Sequence, residues 1–341
     1  MLNSVYRLIA PRVFEPVQVE CTPSSQQVVV RPTYLSICNA DLRYYRGSRS
    51  AEVLEKKLPM ALIHEGIGKV LACPTGEFEP GQRVVMLPNA ACEEDPNIAE
   101  NYLHSSKFCG SGFDGFMQEL MLLPASRLVA LPEEIENEVA AFTELVSVGV
   151  HAVGRFDSIA HAGREAIGVW GDGSLGFIVA LVLKTRFPQS RVYVFGRNSS
   201  KLGDFTFADG TFLTYAVPEG LQLDHAFECC GGDGSASAIE QIISLIKPEA
   251  TVSLLGVSEN PVSINTRMVL EKGLRLFGSS RSGRKDFLET IALYQQHPEM
   301  PKYLESLVNE VFEVGSIADI AAAFEEDLRK KSGKTIMKWS M

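Results

Sequence analysis

Gly171-Asp172-Gly173-Ser174-Leu175-Gly176 lies between one apolar run, EAIGVW, and a longer one, FIVALVLK. No other stretch limits the fold so strongly. A G-x-G-x-x-G turn is weak evidence alone. Here it closes a strand, opens a helix, and is followed by a second strand, RVYVF. Gly171 permits the tight turn, Gly173 lets backbone N–H groups approach a pyrophosphate, and Gly176 lets helix pack on strand. The helix N-terminus favours the phosphate charge. Gly171, Gly173, Ser174, Leu175 and Gly176 are therefore the expected dinucleotide-binding positions. From about residue 165 to 280, AIGVW, RVYVFG, HAFECC, TVSLLGV and LRLFGSS read as strands. SLGFIVALVLKTRF and SASAIEQIISLIK read as helices. Such alternation predicts an α/β unit, a doubly wound parallel sheet covered by helices.

The end of the second strand selects the cofactor. An NAD site usually carries Asp or Glu there, to hold the ribose 2′-hydroxyl. This chain carries Gly196-Arg197-Asn198-Ser199-Ser200-Lys201. An acid would repel a 2′-phosphate, whereas Arg197 would hold it through charge-assisted hydrogen bonds. Arg197 and Lys201 point to NADP(H).

The chain up to about residue 145 reads as β-rich, in QQVVVRPTYLSI, GIGKVLAC and GQRVVMLP. Pro88 to Gly115 reads as a long surface lobe with one short helix in IAENYLH. The tail has helices in FLETIALYQQ and IADIAAAFEEDLRKK, then a strand in KTIMKWS, and is expected to return to the first domain. The expected domains are 1–147 with 280–341, and 148–279. The net charge of −10 argues against a general nucleic-acid or membrane-surface binder. The seven cysteines are odd in number and irregularly spaced, which fits a reducing cytoplasm better than a disulfide framework.

Three stretches far apart offer metal ligands: Cys38 in SICNAD, His64-Glu65 in IHEG, and Glu144 in FTELVSVGVHA. A catalytic zinc takes three protein ligands and keeps one position open. A thiolate, an imidazole and a carboxylate make that set, with Glu65 in reserve. A metal that polarises an oxygen, in a chain that also binds a dinucleotide, points to hydride transfer at an alcohol or ketone.

CNADLRYYRG, IHEGIGKV, GQRVV and ELVSVGVHAV together make the chain resemble the zinc-dependent medium-chain dehydrogenase/reductase family. The resemblance implies a GroES-like β-rich catalytic domain followed by a Rossmann domain. It also implies zinc on Cys38, His64 and Glu144, with Glu65 as a fourth ligand that alternates with water or substrate. The chain departs from the family in two places. The lobe keeps only Cys92 and Cys109, with His104 between them and no C-x-x-C pair, so one catalytic and no structural zinc is expected. Ala40 and Arg43 stand where the family commonly has a hydroxyl and a histidine to relay a proton. Neither can do so, which leaves Glu65, through zinc-bound water, or Tyr44.

Arg43, Arg281 and Arg284 are candidates for holding a small anionic substrate such as a sugar phosphate. KKLPMALIHE, IAENYLHSSKF, AAFTELVSV, INTRMVLEKGL and GSSRSGRKDF are similar to a branch of the family, the bacterial ribulose-5-phosphate reductases of teichoic-acid synthesis. That similarity implies NADPH-dependent formation of ribitol 5-phosphate, and a functional pairing with a ribitol-5-phosphate cytidylyltransferase that makes CDP-ribitol. It also implies a homodimer or homotetramer. The alternatives are a zinc polyol dehydrogenase for an unphosphorylated sugar alcohol, a zinc-free quinone-type reductase, and a non-catalytic dinucleotide-binding protein on the same scaffold.

Overall fold

The computed structural model describes residues 1–341 and divides into two compact units. Met1–Glu144 with Ser282–Met341 forms one, and Leu145–Arg281 forms the other.

Leu145–Arg281 holds a six-stranded parallel sheet. Its order is Gly210–Leu213, Arg191–Gly196, Ala166–Trp170, Leu223–Glu228, Ile246–Leu254, Arg275–Gly278. Numbered along the chain this is 3-2-1-4-5-6, the doubly wound order, with its switch point beside Ala166–Trp170. Every residue of that strand is buried, as is the stretch Gly176–Leu183 of helix Ser174–Arg186. A helix apolar all round belongs inside, between sheet and further chain. Trp170 stacks on Phe195 at 3.9 Å, and its Nε1 donates to Gln241 Oε1 at 2.8 Å, so the indole's polar atom is satisfied inside the core.

Two local readings change. Gly210–Leu213 is a sixth strand whose sequence, GTFL, is too short to show a pattern. HAFECC stops being strand at Glu228. The Glu228 carboxylate takes the N–H groups of Cys230 and Gly231 at 2.9 and 3.0 Å, and the backbone turns there instead of continuing the ladder.

The other unit is built on a seven-stranded sheet. Along its path lie Leu128–Ala130, Arg83–Met86, Glu65–Ala72, Gln27–Ser36, Lys334–Trp339 and Val308–Val314, while Met121–Pro124 pairs with Gln27–Ser36 off the path. The tail thus supplies two strands of the first domain's sheet. Lys334–Trp339 runs antiparallel to Gln27–Ser36, with Ile336 opposite Ser36. The core joins both halves of the chain, with Tyr45, Phe14 and Phe324 in mutual ring contact. The N-terminal hairpin, Leu2–Ala10 with Val13–Glu20, goes beyond the sequence reading.

The lobe contains one short antiparallel pair, Asn89–Ala90 with Lys107–Phe108. IAENYLH forms only a single 3-10 turn, Glu100–Tyr102. Glu100 fastens the lobe. Its carboxylate accepts from Arg127 Nη2 at 2.8 Å and from the backbone N–H of Arg284, the first residue of helix Arg284–Gln296. An acid at a helix N-terminus gains both a hydrogen bond and the favourable end of the helix dipole.

Candidate active site

Register places the ligand segments. Ser36 pairs with Glu65 on one side and with Ile336 on the other. The chain leaves that strand through Ile37 to Cys38, which caps helix Asn39–Tyr45. Asp41, in the first turn, reaches back so that Oδ2 accepts from the Cys38 N–H at 3.0 Å. Its Oδ1 accepts from the Ile63 N–H at 3.0 Å and lies 3.6 Å from His64 Nδ1. One buried carboxylate therefore ties both ligand segments together and faces the imidazole.

Ile63 has φ +71°, where a β-branched residue is strained. Asp41 holds its N–H, and its carbonyl accepts from Phe116 N–H at 2.8 Å. A Cβ on Gly115 would stand 2.2 Å from that carbonyl oxygen. The bend that presents His64 thus depends on a glycine 51 residues downstream in number, 115 against 64. Phe108 of the lobe closes over the imidazole, with ring centroids 5.3 Å apart.

The ligand atoms of Cys38, His64 and Glu65 all lie within 4.8 Å of one another. Glu144 is outside this trio but feels it. Burial, with the nearby Glu65 and Asp41 charges working against His64 and Lys334, pushes its carboxyl up to about 7. Burial alone would lower His64, but the charges of Asp41 and Cys38 overcome it and hold the imidazole well above its usual value. Thiol, imidazole and carboxylates in one largely buried cluster, with a second carboxylate behind the imidazole, are a donor set that fits zinc. Glu65 is fully buried and meets Lys334 Nζ at 2.9 Å from Oε1 and 2.8 Å from Oε2. Lys334 is raised: its burial would lower it, and the Glu65 charge more than offsets that. Sequence reading passed over Asp41 and Lys334. Asp41 was legible as the third residue after a cap. Lys334 lies 269 residues from Glu65, and only the tail's return reveals it.

Among the other candidates, Arg43 is half-buried in the last turn of helix Asn39–Tyr45. Tyr44 is buried, and its hydroxyl accepts from Lys57 Nζ at 3.1 Å instead of bonding to the cluster. Arg281 has φ +57° and ends the second unit. Arg284 Nη1 donates to the Ser126 and Leu128 carbonyls, at 3.1 and 2.5 Å, bracing its helix on the neighbouring strand.

At the glycine turn, Gly171 has φ +136°, and a Cβ on Gly176 would stand 2.0 Å from the Gly171 carbonyl oxygen. At Gly173, which caps helix Ser174–Arg186, a Cβ would meet nothing within 4 Å. The protein leaves that space open, as a pyrophosphate cradle requires. Asp172 lies in the turn, and its Oδ2 is taken by the N–H groups of Arg197 and Asn198 at 2.7 and 2.9 Å, while nearby Glu228 accepts from Cys230, Gly231 and Gly256 N–H. Arg197 is exposed and Lys201 half-buried. The turn thus presents the cations Arg197 and Lys201 and an Asp172 already engaged with backbone, which fits a 2′-phosphate.

Residues 24–133 match the family described as Alcohol dehydrogenase GroES-like domain, and residues 209–296 that described as Zinc-binding dehydrogenase. The ribulose-5-phosphate reductase of Bacillus spizizenii is 56% identical over 341 residues, covering 100% of both chains. The chain belongs to the zinc-dependent medium-chain dehydrogenase/reductase family. Ribulose-5-phosphate reductase 1 of Staphylococcus aureus is 51% identical over 341 residues, again over 100% of both. The crystal structure of S. aureus TarJ in complex with NADPH matches 100% of both chains with a TM-score of 0.90 and 47% identity.

Proposed function

We propose that this chain is a zinc- and NADPH-dependent reductase that converts D-ribulose 5-phosphate to D-ribitol 5-phosphate by reducing its C2 carbonyl. The observation that carries the reading is the identity of 56% to a ribulose-5-phosphate reductase with no part of either chain left over. The ligand cluster and the cationic glycine turn support it.

Cys38, His64 and Glu144, with Glu65 close by, would hold the zinc ion, and Asp41 sets the imidazole's orientation. Zinc, when bound, supplies Lewis-acid polarisation of the carbonyl oxygen. NADPH, when bound, supplies the hydride. Gly171, Gly173, Ser174, Leu175 and Gly176 seat the pyrophosphate, and Arg197 with Lys201 holds the 2′-phosphate. Ala40 and Arg43 offer no relay, which leaves the Glu65 carboxylate, held by Lys334, or Tyr44 to carry the proton. His64, Glu65 and Glu144 are buried, which strengthens the interactions among their charges, while Cys38 is half-buried.

The product suits a cytidylyltransferase that makes CDP-ribitol for a ribitol-phosphate wall polymer. The strand Arg275–Gly278 pairs only with Ile246–Leu254 and leaves its outer edge for a second copy, giving a homodimer or, by further pairing, a homotetramer.

The test is NADPH oxidation with D-ribulose 5-phosphate before and after dialysis against a zinc chelator, with zinc then restored and NADH run in parallel. Turnover that disappears with the metal, returns with it and strongly prefers NADPH is expected. Full activity in metal-free protein would refute the zinc assignment, and equal rates with NADH the assignment of Arg197.

A further inference from the structure

Lys57 ends the helix Ala51–Lys57. Its Nζ donates to Tyr44 Oη at 3.1 Å and to Ser111 Oγ at 2.9 Å, and lies 5.8 Å from the Tyr44 ring centroid. It meets no carboxylate. Because both hydroxyls accept from the ammonium, their own O–H hydrogens point elsewhere, and neither has a protein acceptor. The ammonium keeps a third N–H of its own. The result is a cluster of donors: one N–H, two O–H groups and an uncompensated positive charge. The Arg49 guanidinium lies over the same ring, its Cζ 5.1 Å from the Tyr44 centroid. Tyr44 is 2% exposed, so the cluster rests on a fixed base.

Such a cluster suits a group that only accepts hydrogen bonds and carries negative charge on several oxygens, as a phosphate monoester does. Its elements also adjoin the metal ligands. Tyr44 is on the helix capped by Cys38, six residues on, or about 9 Å along the axis at the helical rise. Ser111 follows Phe108, which covers His64. In an extended pentulose 5-phosphate the C2 carbon and the phosphorus are about 6 Å apart, given ordinary bond lengths.

We propose that Lys57, Tyr44 and Ser111 form the seat for the substrate's 5-phosphate. The inference rests on the reading of the chain as a sugar-phosphate reductase. It adds a site of defined donor chemistry to the candidates Arg43, Arg281 and Arg284. Selection for a phosphorylated substrate then resides in the loop and helices that flank the metal cluster.

The experiment compares wild type with Lys57→Met, which keeps the apolar stem, and with Ser111→Ala. Both are measured with saturating NADPH, so that the cofactor's own phosphate seats are filled. Two quantities are read: the rise in Tm on adding inorganic phosphate, and the ratio of kcat/KM for D-ribulose 5-phosphate to that for D-ribulose. Loss of a charged hydrogen bond should lower the ratio about 10- to 100-fold in Lys57→Met, with a smaller fall in Ser111→Ala, and the phosphate-induced rise in Tm should vanish in Lys57→Met. An equal fall for both sugars would make Lys57 a structural clamp and overturn the proposal. An unchanged ratio and Tm response would overturn it too. Should the wild type reduce neither sugar, the reductase reading fails, and the phosphate-induced Tm rise with its loss in Lys57→Met still decides the seat. If Lys57→Met does not fold, Ser111→Ala decides by the same two readings.

Discussion

Asp41 does with one carboxylate what three separate groups would otherwise have to do: it accepts from the Cys38 and Ile63 N–H groups and sets its charge 3.6 Å from His64 Nδ1. Asp41→Asn keeps the shape but removes the charge and one acceptor. Zinc affinity, measured by competition with a chromogenic chelator, should fall about 10- to 100-fold. Unchanged affinity would mean that the cluster orients itself. A second residue-scale prediction concerns His225. It is buried, its Nδ1 accepts from the Thr251 N–H at 3.1 Å, and burial together with the adjacent His161 pushes it down to about 4 from 6.5. Between those values the unfolded chain binds a proton that the folded chain refuses. Stability should therefore fall as pH drops from 6.5 towards 4 and level off below, by up to about 3 kcal/mol. Urea unfolding across that window should show the slope, and His225→Gln should reduce it. A parallel slope in the variant would assign the effect to other groups.

At the scale of elements, the glycine turn separates ligand space from packing space. Gly173→Ala adds a methyl group where the protein has no atom within 4 Å, so Tm should hold while the Kd for NADPH rises. Gly176→Ala drives a carbon to 2.0 Å from the Gly171 carbonyl, so both should suffer. Differential scanning fluorimetry with and without NADPH separates the two. If Gly173→Ala binds NADPH normally, the pyrophosphate lies elsewhere. The lobe gives a further prediction. Glu100→Gln weakens the contacts to Arg127 and to the N-terminus of helix Arg284–Gln296. Proteolytic nicking within residues 88–115 should speed up, by an amount matching about 1 kcal/mol. Unaltered nicking would show that packing alone orders the lobe.

For the whole molecule, sequence revealed what periodicity and local chemistry encode. The glycine turn, the alternating strands and helices and the ligand words are all local, and their structural counterparts lie at Gly171–Gly176, in the 3-2-1-4-5-6 sheet and at Cys38, His64 and Glu65. What it hid is long-range. Lys334 meets Glu65 because Lys334–Trp339 returns to pair with Gln27–Ser36, and Glu100 reaches Arg284 across 184 residues. Lys57 meets Tyr44 across 13 residues and Ser111 across 54, which no local pattern announces. Pairing of this kind is fixed by the packed chain and leaves no repeat in the sequence. We propose a reductase selective for a phosphorylated ketose. The most direct measurement is the steady-state rate of NADPH oxidation by zinc-loaded protein with D-ribulose 5-phosphate beside D-ribulose. Rapid turnover of the phosphate is expected, with a kcat/KM for the free sugar lower by about two orders of magnitude, the scale of a lost charged contact. Equal kcat/KM for the two sugars would contradict it.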